Sequence, residues 1–294
     1  MDVDPLQDTV PSRYAIESDE EDEFNPLQPR PSQDVSEPVN VKVVGSIPTA
    51  GKLVIATGDA GRIWARGANL GEQTGAVYVN EISVCSPFIS VTSENNDTKV
   101  GLCFNPKWTN ATIIISEVTT KLPIWAMNEY GKQILEALKP SKVSLLDIYP
   151  VPSYITSGPL TVQNAPIRYL STTNVDPVIA ENAEKFSPPN LISSTSAVFM
   201  ANLSISKVQG LLLTLPYPRI PPPAPRKLSP SNIEQLSDDY MPWNEGTMTT
   251  AQTLLFKAID EKAKDTWVNQ STKGTPVHAS KRQKGDIGEG GMYI

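Results

Sequence analysis

The stretch Ala56–Gly67, ATGDAGRIWARG, holds the residues of this chain best suited to chemistry. Glycines stand at 58, 61 and 67, with Arg62 and Arg66 among them. A glycine turn at a strand end lets backbone N–H groups approach an oxyanion, and a nearby arginine can supply the opposite charge. The spacing Gly58-x-x-Gly61 departs from the Gly-x-Gly-x-x-Gly dinucleotide pattern, and no Gly-Lys-Ser/Thr follows. Two readings remain: a nucleoside or phosphate site on the glycine turn at 58–61, and a plain tight turn in which Asp59 is the turn former.

Other reactive groups are sparse. His278 is the only histidine, in a polar, Gly-rich stretch near the C-terminus, which removes Ser-His-Asp and Cys-His nucleophilic sites. Cys85 and Cys103 are the only cysteines, eighteen positions apart, too few for a Cys₄ zinc site. They read as small core residues in a reducing compartment. Asp and Glu residues of the body are scattered and read as solvated faces, with no carboxylate pair at a foreseeable cleft. No catalytic residue, cofactor or metal ligand is expected.

The elements that must carry these residues follow from periodicity. KLVIATG at 52–58, AVYVNEISV at 76–84, TKVGLCF at 98–104, ATIIISEV at 111–118, KVSLLDIY at 142–149 and LLLTL at 211–215 read as strands. Helices are expected over 122–138, where Lys139-Pro140 stops the turn, over 191–207, and over 249–267, capped by Thr249 or Thr250. In that last helix Glu261 and Lys264 fall on the wet side. Strands alternating with helices predict an α/β fold: one domain with a mixed, largely parallel sheet flanked by helices.

Charge divides the chain. The formal net charge is −7, but residues 1–40 hold eleven acids and two arginines, a net of −9, which leaves +2 on the rest. Residues 1–40 therefore read as a disordered acidic tail. The body spans 41–269, with a proline-rich loop at 216–248 that carries seven prolines within 216–230. Residues 270–294 read as a mobile tail. Neither part has the basic stripe that nucleic acid requires, and no apolar run is long enough to span a bilayer. The expected location is the cytoplasm, with the nucleus as a second.

The sequence closes on GDIGEGG-Met292-Tyr293-Ile294. A hydrophobe, Tyr and any residue at an extreme C-terminus is the pattern by which several proteasome partners dock between α subunits of the 20S core particle. Burying Tyr293 supplies roughly 1.5–3 kcal/mol. A lysine meeting the Ile294 carboxylate supplies about 1.5–3 kcal/mol more. After tether ordering, one tail alone should bind weakly, on the order of 100 μM to mM, so the folded body or a second tail must raise the effective concentration.

The order of elements resembles the proteasome assembly chaperone 1 family, in particular its fungal form. The likeness is carried by the acidic start, KLVIATGDAG, ATIIISEV…NEYGKQILEAL, KVSLLDIYPVPSYITSG, PPNLISSTSAVFMANL before GLLLTLPY, and the terminal Met292-Tyr293-Ile294. It spans roughly residues 41–294. The resemblance implies a non-enzymatic chaperone with a phosphorylase/hydrolase-like sheet and no cofactor. It also implies a heterodimer with proteasome assembly chaperone 2, seated on the α ring of the 20S proteasome. Met292, Tyr293 and Ile294 would then enter a pocket between neighbouring α subunits. The proline-rich stretch departs from shorter family members, so nothing transfers to it. Three other readings compete: an activator with the same tail, a nucleoside or phosphate enzyme, and a scaffold acting through the PxxP pattern at 219–226.

Overall fold

The computed structural model describes residues 39–81, 97–231, 241–263 and 266–269. The terminal tails, Cys85, His278 and Met292-Tyr293-Ile294 lie outside the described residues, as do the middle of the proline-rich stretch and Lys264. In chain order the elements begin β1 (Val39–Gly45), β2 (Lys52–Thr57), α1 (Gly58–Gly67), β3 (Gln73–Glu81), β4 (Thr98–Phe104), β5 (Ala111–Ser116) and β6 (Thr120–Lys121). They continue with α2 (Ile124–Leu138), β7 (Lys142–Pro150), β8 (Arg168–Ser171), α3 (Pro177–Asn182) and β9 (Glu184–Lys185). The last are α4 (Thr195–Ile205), β10 (Gln209–Tyr217), β11 (Ser229–Pro230) and α5 (Glu245–Ala258).

Nine strands form one mixed sheet in the order β1-β3-β4-β5-β2-β7-β10-β8-β9. Its centre, β5-β2-β7-β10, is parallel. Antiparallel strands extend it on both sides, β4, β3 and β1 on one and β8 on the other. The central strands are nearly continuous apolar runs because both faces are covered: all six residues of ATIIIS in β5 are buried. At the β1 edge the pattern alternates instead, with Val39 and Val41 buried and Asn40 and Lys42 exposed. Lys42 pairs with Asp97 there, a charge of the kind that blunts an edge strand.

Each face of the sheet has its own core. Trp64, Ile63, Leu254, Leu255 and Phe256 join the helices α1 and α5 to one face. Tyr130, Ile134, Phe199 and Leu203 join α2 and α4 to the other. This is the expected α/β class, a nine-stranded sheet with helices on both sides; β6 and β11 pair separately as a small antiparallel ribbon.

Two local expectations are corrected. Residues 58–67 form the helix α1 rather than only a turn. Its glycines serve close packing: a Cβ on Gly61 would fall 2.5 Å from the Ala56 carbonyl oxygen, and one on Gly67 would fall 2.4 Å from the Trp267 ring. The last helix starts at Glu245, four residues before the expected caps Thr249 and Thr250. Asn244 caps it, its Oδ1 accepting from the Thr247 N–H at 2.7 Å. It ends at Ala258, and Asp260 takes a left-handed φ of 53°. Glu261 is therefore beyond the helix, where it pairs with Lys52 at 2.7 Å.

Candidate functional site

The chain leaves β5, crosses β2 by way of α2, and enters β7 on the far side of β2. The C-terminal end of β2 is thus a topological switch point, the place where open α/β sheets form a crevice. A cleft of about 790 Å³ opens there. Thr57 and Gly58 reach it from β2 and the start of α1, Glu117 from the end of β5, Asp147 from β7, and Ser194 from the start of α4.

The polar side chains on the α4 side are tightly paired. Ser194 Oγ donates to Asp147 Oδ2 at 2.5 Å, and the Ile148 N–H donates to Asp147 Oδ1 at 2.8 Å. Thr195 Oγ1 donates to Glu117 Oε2 at 2.8 Å, and the Leu122 N–H donates to Glu117 Oε1 at 3.1 Å. Thr57 Oγ1 donates to the Leu146 carbonyl at 3.2 Å and lies 3.3 Å from Ser196 Oγ. On the α1 side Tyr217 donates its hydroxyl to Asp59 Oδ2 at 2.9 Å. Arg62 Nη2 stands 3.7 Å from Asp59 Oδ1.

These contacts correct the reading of every body carboxylate as a solvated face. Asp147 is only 5% exposed. Burial raises its pKa above the usual carboxylate range, against hydrogen bonds from Ser194, Ser196, Ile148 and Thr57 that lower it. Burial likewise raises Glu117, with the nearby Asp147 charge adding to the effect. A signal for Asp147 was present in the sequence. SLLDIY places a carboxylate inside an apolar run, close to the C-terminal end of a buried strand.

A carboxyl raised in the folded state binds its proton more tightly folded than unfolded. Stability from this source is fully present below the unfolded values, about 3.9 for Asp and 4.3 for Glu, and is lost as pH rises through the folded pKa. Asp147→Asn, which removes the ionisation, is expected to gain stability over the parent as pH rises from 4 to 8. Urea melts across that range check it. A constant difference between the two proteins would contradict the assignment.

The proline-rich segment forms one wall. Residues 218–228 have no regular element, and Pro221, Pro222 and Pro223 face the cleft. Trp125 Nε1 donates to the Arg226 carbonyl at 2.9 Å, and Ser231 Oγ donates to the Glu117 carbonyl at 3.1 Å. The expected stiff loop is therefore tied across the cleft. Ile155, Leu191 and Ile220 on its rim are exposed.

Of the residues singled out from sequence, Gly58 and Arg62 line the cleft, while Gly61 packs α1 against Ala56 of β2. Arg66 sits in the last turn of α1 and does not line it. Cys103 is fully buried in the α2/α4 core, and burial pushes its thiol up to about 12, so it is inert at neutral pH. Among the described residues no cluster of His, Cys, Asp and Glu could hold a metal ion, and no helix is long and apolar enough to cross a membrane.

No family model matches the sequence, and no curated protein matches it. Solved structures do. One is Pyrococcus furiosus PbaA, an archaeal homolog of proteasome-assembly chaperone. It has a TM-score of 0.40 and 16% identity, over 61% of this chain and 76% of that one. Another is a Thermoplasma acidophilum protein of unknown function, with a TM-score of 0.44 and 11% identity, over 75% of this chain and 80% of that one. A third is Pyrococcus furiosus PbaB, an archaeal proteasome activator, with a TM-score of 0.38 and 8% identity, over 60% of this chain and 80% of that one.

Proposed function

We propose that this chain is a non-enzymatic chaperone of 20S proteasome assembly. It pairs with proteasome assembly chaperone 2, and the pair rests on the α ring. Met292, Tyr293 and Ile294 dock between neighbouring α subunits. The place of action is the cytoplasm, with the nucleus as a second.

One observation carries this reading. Several of the segments on which the sequence resembles proteasome assembly chaperone 1 build the parallel centre of the sheet and the helices beside it. KLVIATGDAG is β2 and the start of α1, ATIIISEV and NEYGKQILEAL lie in β5 and α2, and GLLLTLPY is most of β10. The resemblance thus includes the framework of the fold as well as the terminal Met292-Tyr293-Ile294. The last described residue is Asn269, which leaves 24 residues before Ile294. A flexible tether of that length has a root-mean-square span of roughly 25–30 Å. The folded body can therefore hold the ring surface while the terminal residues reach a groove.

Affinity purification of the tagged full chain from a eukaryotic cell tests the reading. The expected co-purifying proteins are one related α/β chaperone and several α subunits, without β subunits in excess. Recovery of neither would contradict it.

A further inference from the structure

We propose that the cleft binds an oxyanion of the phosphate class, free or as a phosphate ester, between the start of α1 and Arg62. Three independent features converge there. First, α1 is ten residues long, and its N-cap Thr57 makes no side-chain capping bond. The Thr57 hydroxyl is turned instead to the Leu146 carbonyl and Ser196. The first-turn N–H groups thus have no cap and present the positive end of the helix dipole.

Second, Gly58 opens the approach. It takes a left-handed φ of 52°, and a Cβ built on it would meet nothing within 4 Å. A side chain is missing where a ligand would come close to the backbone.

Third, Arg62 is only 9% exposed, and its Nη1 and Nη2 make no hydrogen bond. A buried guanidinium with unmet donors is costly, and such groups are normally paired. The nearby Asp59 carboxylate forms a long ion pair with Nη2 but accepts no hydrogen bond from it. Asp59 lies 3.7 Å away, beyond hydrogen-bond distance, and Tyr217 already donates to it at 2.9 Å. A tetrahedral oxyanion can accept from two guanidinium nitrogens and from backbone N–H groups together.

Other charged groups of the cleft set the limits. Asp59 opposes an anion. Asp147 and Glu117 stand on the α4 side, where burial favours their neutral forms. Lys121 and Arg219 also line the cleft. Tyr149, Tyr154 and Phe186 form an apolar wall. That wall and the volume leave room for an organic group carried on the phosphate.

The test is titration of the full chain with inorganic phosphate, followed by ³¹P NMR and calorimetry, in parallel with a nucleoside monophosphate. Saturable binding with a dissociation constant in the millimolar range or tighter is expected. Arg62→Gln should weaken it at least tenfold, and Arg62→Lys by less. Lys132→Gln, on an exposed turn of α2, should leave it unchanged. Arg62-dependent binding that is at least tenfold tighter for the nucleotide assigns the natural ligand as a phosphate ester, and equal binding assigns free phosphate. Absence of saturable binding by the parent protein up to about 20 mM would overturn the proposal, whatever the variants do. So would unchanged affinity in folded Arg62→Gln or, where that variant does not fold, in Arg62→Lys. Recovery of α subunits is a separate readout, and Arg62→Gln is expected to retain it.

Discussion

Trp64→Ala is expected to lower the unfolding free energy by about 3–5 kcal/mol, a large share of the roughly 5–15 kcal/mol that holds an ordinary domain folded. Trp64 is fully buried, and its ring joins α1 to α5. Its Nε1 donates to Gln252 Oε1 on α5 at 3.1 Å. The Phe256 ring lies 6.4 Å from it, centroid to centroid. Its carbonyl accepts from Trp267 Nε1 at 2.8 Å, and Trp267 fills the space over Gly67. Alanine removes the ring, opens a cavity between α1 and α5, and takes the indole donor from Gln252. Trp64→Phe keeps most of the volume and loses that hydrogen bond, so its loss should be clearly smaller. Urea unfolding of both variants checks the ordering. A loss below about 1 kcal/mol for Trp64→Ala would mean that the α1 face is not a packed core.

The second large effect lies on the opposite face. Phe199→Ala is expected to cost a similar amount, about 3–5 kcal/mol. Phe199 has no exposed surface and meets Tyr130 edge-to-face at 6.3 Å. It lies over Gly131, whose missing side chain lets α4 approach α2 closely. The same helix begins with the residues that hold the cleft carboxyls, Thr195 at Glu117 and Ser196 beside Thr57, with Ser194 just before it at Asp147. Loosening α4 should therefore reach the cleft as well as the core. Amide exchange at Ile148, which donates to Asp147, should quicken in Phe199→Ala beyond the change seen in Trp64→Ala, once both are corrected for global stability. Equal quickening would show that α4 does not hold this side of the cleft.

Much of the sheet was legible in the sequence because its central strands are apolar on both faces. The runs at 52–58, 111–118, 142–149 and 211–215 need no partner to identify them. What escaped depends on contacts between distant residues. In α1 the glycines suggest a turn, and only the approach to Ala56 and Trp267 explains why a helix tolerates them. The start of α5 is set by Asn244, a cap hidden among residues that read as loop. The strand β8 is four residues long and gains its order from β10. The cleft was half legible. Gly58 and Arg62 announce themselves by type and spacing. Asp147 and Glu117 come together only because α2 carries the chain across β2. Their distance in sequence concealed a shared environment that the α4 hydroxyls complete.

The docking of Met292, Tyr293 and Ile294 on the α ring is what we propose for this chain. The most direct measurement compares recovery of α subunits by the full chain and by Tyr293→Ala, each co-expressed with its chaperone partner. Tyr293→Ala is expected to keep the partner and lose most of the α ring, since about 1.5–3 kcal/mol of buried ring corresponds to a roughly ten- to hundredfold weaker complex. Equal recovery of α subunits by both proteins would contradict it.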